Sequence, residues 1–195
     1  AERGYKLFLN EPLRPFKSKA VPIKEQQTPV AAFRSVALGC LEHFQRNESG
    51  LSQGNDPEFI HQARVSLRRL RSAIKLFAPV LPTEFVAAYG QTWRTLAGAL
   101  GDTRNWDVFL EETLPPIAAA FPEHRDIKRL HKAAQRRANS ARKSVIGLLA
   151  ISEYPRLMLE FTAAIYTLND SAPIPIKDFA QQQIASYARK ARKLA

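Results

Sequence analysis

Apolar side chains recur at spacings of three and four residues along most of the chain after residue 28. This is the spacing of helices that bury one face, and no alternating strand pattern occurs beyond residue 10. Prolines and polar runs predict seven helices, at about 29–47, 57–78, 83–100, 102–114, 123–149, 155–168 and from 176 to the C-terminus. Many helices with short connections indicate an all-α protein built from helical bundles.

Individual residues set several of these helix ends. A side-chain oxygen just before a helix can accept a hydrogen bond from the first helical turn and so cap the helix. We expect such caps at Thr28 for the first helix, at Asn55 or Asp56 for the second, and at Thr83 for the third. Gly101-Asp102 predicts a break between the third and fourth helices. Pro115-Pro116 predicts the end of the fourth helix, which is therefore expected to be short.

Residues 1–28 form a different kind of segment. Residues 4–9 show some alternation, and Pro12, Pro15 and Pro22 follow at spacings that forbid a helix. We expect an extended entry segment, made of the last strand of an upstream unit and a linker.

The composition narrows the class of protein. Hydrophobic residues make up 45% of the 195 positions, so a core can form, and no apolar run reaches the length of a membrane span. Cys40 is the single cysteine, which excludes a disulfide framework within the chain and favours a reducing compartment. Residues 1–6 lack the blocks of a signal peptide. These features predict a cytoplasmic protein.

The positive charge is large and unevenly distributed. The net charge is +11, which points to an anionic partner. Residues 61–75 carry five cations and no acid, residues 124–143 carry eight cations and one acid, and residues 189–193 carry four cations. The remainder of the chain is slightly acidic. Such concentration is expected of a binding surface rather than of charge that serves only solubility.

The second predicted helix carries its basic residues on one face. Five of them fall within an arc of about 80° on a helical wheel: His61, Arg64, Arg68, Arg71 and Lys75. The apolar residues fall on the opposite side: Phe59, Ala63, Leu67, Leu70, Ile74 and Phe77. At 1.5 Å per residue, the basic stripe is about 21 Å long.

Arginine suits a phosphate ligand, because its planar fork donates paired hydrogen bonds to phosphate oxygens and stays charged at any relevant pH. A stripe of this length matches a linear polyanion better than a single phosphate group. His61 adds a donor whose charge depends on pH. The alternative interpretation is a solvated helix face without a ligand.

The long helix predicted at 123–149 repeats this design. Its basic residues fall within about 60° on the wheel, with Arg137 at the flank: Arg125, Arg129, Lys132, Arg136 and Lys143. Its apolar side is formed by Ile127, Leu130, Ala134, Ala138, Ala141, Val145 and Leu148. Asp126 and nearby polar residues could instead screen these charges, which would leave a solvated face.

Two segments resemble the signatures of the CHAD family, a helical domain characterised by a histidine. The first is His61-Gln62-Ala63-Arg64-Val65-Ser66-Leu67-Arg68-Arg69-Leu70-Arg71, followed by Leu76-Phe77. The second is Leu100-Gly101-Asp102-Thr103-Arg104-Asn105-Trp106-Asp107-Val108, in which Asn105 stands where the family usually has an aspartate. The resemblance covers residues 29–195.

The resemblance implies two pseudo-symmetric four-helix bundles around a basic channel that binds inorganic polyphosphate; some family members lie on polyphosphate granules. This chain would supply the first bundle and the start of the second. A second His–Arg helix is missing, so the domain is expected to be incomplete at its C-terminus. The residues expected to bind polyphosphate are His61, Arg64, Arg68, Arg69, Arg71, Lys75, Arg104, Arg129, Lys132, Arg136, Arg137, Lys143, Arg189 and Lys193.

The first residues, Ala1-Glu2-Arg3-Gly4-Tyr5-Lys6-Leu7, resemble the tail of a CYTH domain. CYTH domains are triphosphate-tunnel enzymes that are often fused ahead of CHAD domains. The resemblance implies that the parent protein is an inorganic triphosphatase. The alternating acidic and basic strands of the tunnel are not in this chain.

No pattern in the sequence indicates catalysis, a cofactor or a metal site. Cys40 lies in an apolar helix, the four histidines form no H-x-x-x-H pair, and no glycine-rich phosphate loop occurs. We predict a binding module that is not an enzyme. Two alternatives remain: a reader of the nucleic-acid backbone and an adaptor for an acidic protein. Trp93 and Trp106 lie among apolar residues and are expected in the core.

Overall fold

The computed structural model describes residues 12–53, 56–170 and 174–193. These residues form seven α-helices: α1 Pro29–Gln53, α2 Glu58–Phe77, α3 Thr83–Val108, α4 Leu114–Ala120, α5 Arg125–Ala150, α6 Glu153–Thr167 and α7 Ile176–Arg192. A 3₁₀ turn, Ala78–Val80, precedes α3, and one π-helical turn, Phe109–Thr113, joins α3 to α4. No strand occurs in these described ranges, so the predicted all-α fold is confirmed. The strand suggested for residues 4–9 lies outside them.

The starts of α1 and α2 follow the sequence prediction, and the start of α3 does not. The Thr28 hydroxyl accepts a hydrogen bond from Ala31 N at 3.2 Å. Asp56 Oδ1 accepts one from Glu58 N at 2.8 Å. Thr83 is wrong as a cap, because α3 already includes it and the residue before it is a proline without a polar side chain.

The predicted break at Gly101-Asp102 and the predicted end at Pro115-Pro116 are both wrong. The helix continues through Gly101 because Leu100 and Thr103 are buried beside it. This packing outweighs the poor helix propensity of glycine, about 1 kcal/mol. The two prolines lie in the first turn of α4, where a missing backbone N–H costs little. The chain is therefore helical from α3 through the π turn to the end of α4.

Helices α1, α2, α3 and α6 enclose one apolar core. Phe33, Trp93 and Phe161 are completely buried within it. The rings of Trp93 and Phe161 meet edge to face at 5.1 Å between centroids, which links α3 to α6. The prediction of Trp93 as a core residue is confirmed. Although α6 comes late in the chain, it closes the bundle that the first three helices begin.

The last long helices lie at the edge of this bundle. α5 packs along α3, yet only Ala134, Ala138 and Val145 of α5 are buried. Leu130, which the wheel places on the apolar side, is 43% exposed. α7 is held by Phe179, whose ring stacks on a ring of α2. None of the helices in the described ranges has the length and apolar character needed to cross a membrane.

The part of the entry segment that the structure describes lies against α1. Residues 12–24 have no regular secondary structure. Phe16 and the Asn47 side chain exchange two hydrogen bonds of 2.9 Å, through the backbone N–H and C=O of Phe16. The Arg46 guanidinium lies 4.3 Å from the centre of the Phe16 ring. This segment is therefore fastened to the bundle.

Candidate functional site

The basic residues of α2 lie on the face opposite its core contacts. Arg68, Arg71 and Lys75 are exposed, whereas Leu67 and Leu70 are completely buried. The predicted separation of the two faces of this helix is confirmed. The exposed cations are separated by only three or four residues, so their charges lie close together along the helix.

Arg64 is half-buried and reaches across to α3. Its Nε would lie 3.8 Å from a Cβ added at Gly101, so the arginine passes close to the backbone of α3. A Cβ at Gly101 would therefore make an ordinary van der Waals contact with the arginine side chain. The wheel of α2 alone could not show that Arg64 lies at an interface between two helices.

The contact between Arg64 and Gly101 shows which ends of α2 and α3 lie together. The two helices are consecutive, pack together and are joined by a short turn, so they run antiparallel. Arg104, which follows Gly101, therefore lies toward the His61 end of α2, and Arg94, which precedes it, lies toward the Lys75 end. Arg94 is exposed and adds to this face a cation that our sequence analysis did not assign.

We call this set of side chains the α2–α3 surface: His61, Arg64, Arg68, Arg71, Lys75, Arg94 and Arg104. The signal for Arg94 was available in the sequence. It precedes Gly101 by seven residues, which places the two on the same side of a continuous helix. The predicted break at Gly101 concealed this relationship.

Arg69 belongs to a different face of α2. Its charge acts on Cys40 and His43 of α1, so its side chain lies toward that helix rather than on the α2–α3 surface. Burial raises the pKa of the Cys40 thiol to about 11, and the positive charge of Arg69 opposes this shift. The thiol is therefore protonated at neutral pH, and a protonated buried thiol is a poor nucleophile.

The buried structural histidine of the bundle is His43, which sequence analysis left without a role. Its Nε2 lies 3.0 Å from Oε1 of Gln62, and Gln62 Nε2 donates to Glu58 Oε1 at 2.6 Å. Burial lowers the pKa of His43, the bond with Gln62 opposes this, and the charge of Arg69 adds to the lowering. His61 is half-buried, and no side chain in the described ranges is hydrogen bonded to its ring.

Among the described residues, Arg104 is the one cation of the α2–α3 surface that forms ion pairs with carboxylates. Its Nη1 lies 3.5 Å from Glu111 Oε2, and its Nη2 lies 3.3 Å from Glu112 Oε1. Both glutamates belong to the π-helical turn. The guanidinium that we predicted to bind polyphosphate is therefore already in contact with two carboxylates of the chain itself.

Asp107 joins α3 to α5 through an ion pair. It is buried, and its Oδ1 accepts a hydrogen bond from Arg142 Nη2 at 3.5 Å. Burial raises the pKa of Asp107, while the charges of Arg142 and Arg104 lower it. Arg142 lies in the basic region 124–143, but its contact with Asp107 gives it a structural position between the helices.

The basic stripe of α5 faces solvent, opposite the buried Ala134 and Ala138. Its members are exposed: Arg125, Arg129, Lys132, Arg136 and Lys143. Arg129 forms an exposed ion pair of 3.3 Å with Asp126, as the alternative of screened charge anticipated for that position. α3 packs against both α2 and α5 and so connects the two basic helices. Arg189 and Lys193, near the end of α7, are also exposed.

Arg137 lies beside the α5 stripe and lines a groove of about 390 Å³ between α3 and α5. The other lining residues are Asp102, Asn105, Trp106, Ser140, Ala141 and Ser144. The prediction of Trp106 as a core residue is wrong, because its half-buried ring lines this groove. The described residues contain no cluster of histidine, cysteine or acidic side chains that could hold a metal ion.

Comparisons with known proteins point to one helical family. The sequence-family model of the CHAD domain matches residues 35–195. The crystal structure of the CHAD domain from the plant Ricinus communis is similar, with a TM-score of 0.70 and 34% sequence identity. That match covers 87% of this chain and 56% of the plant chain, so this chain spans little more than half of that length. Among curated proteins, none matches the sequence.

Proposed function

Because this chain belongs to the CHAD domain family, we propose that it binds inorganic polyphosphate through the α2–α3 surface. The observation that carries this proposal is the row of cations on α2. Arg68, Arg71 and Lys75 are exposed on one face, and residues 61–75 contain no acid. None of these three cations takes part in an ion pair recorded among the described residues.

A row of like charges favours an anionic ligand on energetic grounds. Neighbouring cations at this spacing repel each other by a few tenths of a kcal/mol per pair, roughly 0.2–0.5. A bound phosphate chain removes the repulsion and accepts hydrogen bonds from the arginine forks. The linear arrangement favours a chain of phosphates, because successive residues of the row can contact successive phosphates.

The location of the two tryptophans favours polyphosphate over single-stranded nucleic acid. Proteins that bind single strands usually stack bases on exposed aromatic rings beside the basic surface. Trp93 is completely buried in the core, and Trp106 lines the groove between α3 and α5, so neither ring offers a stacking platform on the α2–α3 surface. Polyphosphate has no bases and needs no such platform.

We further propose that the chain acts as an accessory binding module and carries no activity or cofactor of its own. The protonated, buried thiol of Cys40 supports this, since it lacks the exposure and low pKa of a nucleophile. In the cell, the module would direct a parent inorganic triphosphatase with a CYTH domain to polyphosphate. Its location would be cytoplasmic, including polyphosphate granules.

A titration at fixed ionic strength tests the proposal. The chain is titrated with polyphosphate, duplex DNA and RNA at matched phosphate concentration, with binding followed by calorimetry. Tighter binding of polyphosphate supports the proposed function. Equal or tighter binding of nucleic acid would favour the backbone-reader hypothesis, and absence of polyphosphate binding would overturn the proposal.

A further inference from the structure

We infer that Glu111 and Glu112 are a built-in competitor for the anionic ligand, because they occupy the guanidinium of Arg104 within the α2–α3 surface. The inference rests on the proposed function and specifies how one part of that surface is controlled. It assigns a role in ligand selection to two acidic residues that lie outside both basic helices.

The π-helical turn places these acids beside the arginine. Leu114 N donates to Phe109 O, five residues earlier, which is the hydrogen bond of a π turn. Pro115 and Pro116 follow directly and have no N–H to offer to the carbonyls of the preceding turn. The helix therefore widens here, and two consecutive glutamates contact one arginine that precedes them by seven and eight residues.

The acids are more exposed than the arginine that they contact. The side chain of Arg104 is 19% exposed, whereas those of Glu111 and Glu112 are 47% and 63% exposed. A phosphate group that binds this guanidinium must therefore compete with the two carboxylates for Nη1 and Nη2. Arg104 and the two acids follow Gly101 in α3 and the π turn, so they lie toward the His61 end of the basic row of α2.

Exchange of the carboxylates for phosphate is chemically reasonable. The two glutamates are largely exposed, so water screens their attraction to Arg104, and phosphate oxygens match the same guanidinium fork. A polyphosphate chain already bound to Arg68 and Arg71 would present its next phosphates to Arg104 at a high local concentration. A small anion has no such advantage and must displace the carboxylates from solution. The acids therefore favour long ligands over short ones.

The double variant Glu111→Gln/Glu112→Gln tests this inference by calorimetry with polyphosphate and with orthophosphate. We expect polyphosphate binding to tighten several-fold and the salt dependence to steepen by about 0.7 in slope, the value for one added phosphate contact. The preference for long chains should decrease at the same time. The matched control is Glu42→Gln/Glu160→Gln, which removes two acids that pair with Arg46 and Arg156 elsewhere. The control should change binding much less.

The substitution Arg104→Gln completes a cycle with the double variant. It should weaken polyphosphate binding only slightly in the wild-type background and should cancel the gain in the double variant. Arg104→Lys, which keeps the charge without the fork, provides a second measurement, and thermal melts establish that each variant is folded. If the wild-type chain binds polyphosphate but Arg104→Gln changes the affinity equally in both backgrounds, this inference alone is overturned. The same holds if the matched control tightens binding as much as the double variant does. If the wild-type chain does not bind polyphosphate, the proposed function is overturned as well.

Discussion

The imidazole of His43 on α1 donates a hydrogen bond from Nε2 to Oε1 of Gln62 on α2, at 3.0 Å, inside the interface between these two helices. Gln62 is buried, whereas its neighbour in sequence, His61, lies toward the outer side of the same helix. This bond and the buried apolar side chains of α2 together hold the helix in the rotation that leaves Arg68, Arg71 and Lys75 exposed.

The His43 bond should make folding stability depend on pH. Burial lowers the pKa of His43 below its ordinary value of 6.5, so the unfolded chain takes up a proton at a higher pH than the folded chain does. Stability is therefore complete above that value and falls as the pH decreases below it. Urea unfolding at several pH values measures this.

The substitution His43→Gln should lower stability at neutral pH and flatten the pH dependence just below 6.5. The exposed His131 provides the control, because His131→Gln should leave both properties near those of the wild type. A slope that is unchanged by His43→Gln would show that another group is responsible.

Two glycines in the helices should respond to alanine in opposite directions. A Cβ at Gly50 of α1 would overlap the ring of Phe59 on α2, so Gly50→Ala should destabilise the fold by roughly 1–3 kcal/mol. Gly98 of α3 has nothing within 4 Å of its added Cβ. There, alanine should stabilise by roughly 0.5–1 kcal/mol through its better helix propensity. Thermal melts of both variants measure the difference, and destabilisation of similar size at both sites would contradict the packing between α1 and α2.

The all-α fold and the two-faced character of α2 could be predicted from the sequence, because both follow from local periodicity. The continuity of the helix past Gly101 could not, since it depends on burial of Leu100 by other helices. The ion pair of Asp107 with Arg142 spans 35 positions and joins two helices. No local pattern predicts such a contact. The same holds for the approach of Arg64 to α3, which required knowledge of the helix register.

Binding should favour long polyphosphate over orthophosphate. The row from His61 to Lys75 is about 21 Å long, so a chain of tens of units can contact every cation of the row. A single phosphate contacts one or two of them. Competition titrations with chains of increasing length should show affinity that rises until the row is covered. Equal affinity per molecule for orthophosphate and for a long chain would contradict the linear site.

His61→Ala should weaken polyphosphate binding and leave the melting temperature near that of the wild type, because the imidazole belongs to the α2–α3 surface and can donate a hydrogen bond to a phosphate oxygen. Calorimetric titration and thermal melts of this variant measure both properties. A lower melting temperature with unchanged binding would show that the half-buried ring serves packing instead.

The central claim is that the exposed cations of α2 bind polyphosphate, and calorimetric titration of one triple variant tests it most directly. The variant is Arg68→Ala/Arg71→Ala/Lys75→Ala, in which all three residues are exposed and the core is left unchanged. The control, Lys17→Ala/Lys24→Ala/Lys177→Ala, removes the same charge from exposed positions elsewhere. We predict that the first triple variant loses at least about tenfold in affinity for polyphosphate. Its slope of log affinity against log salt concentration should become shallower by about 2, because three phosphate contacts are lost. The control should keep most of the affinity. Equal losses in both variants, or no loss in the first, would contradict the claim.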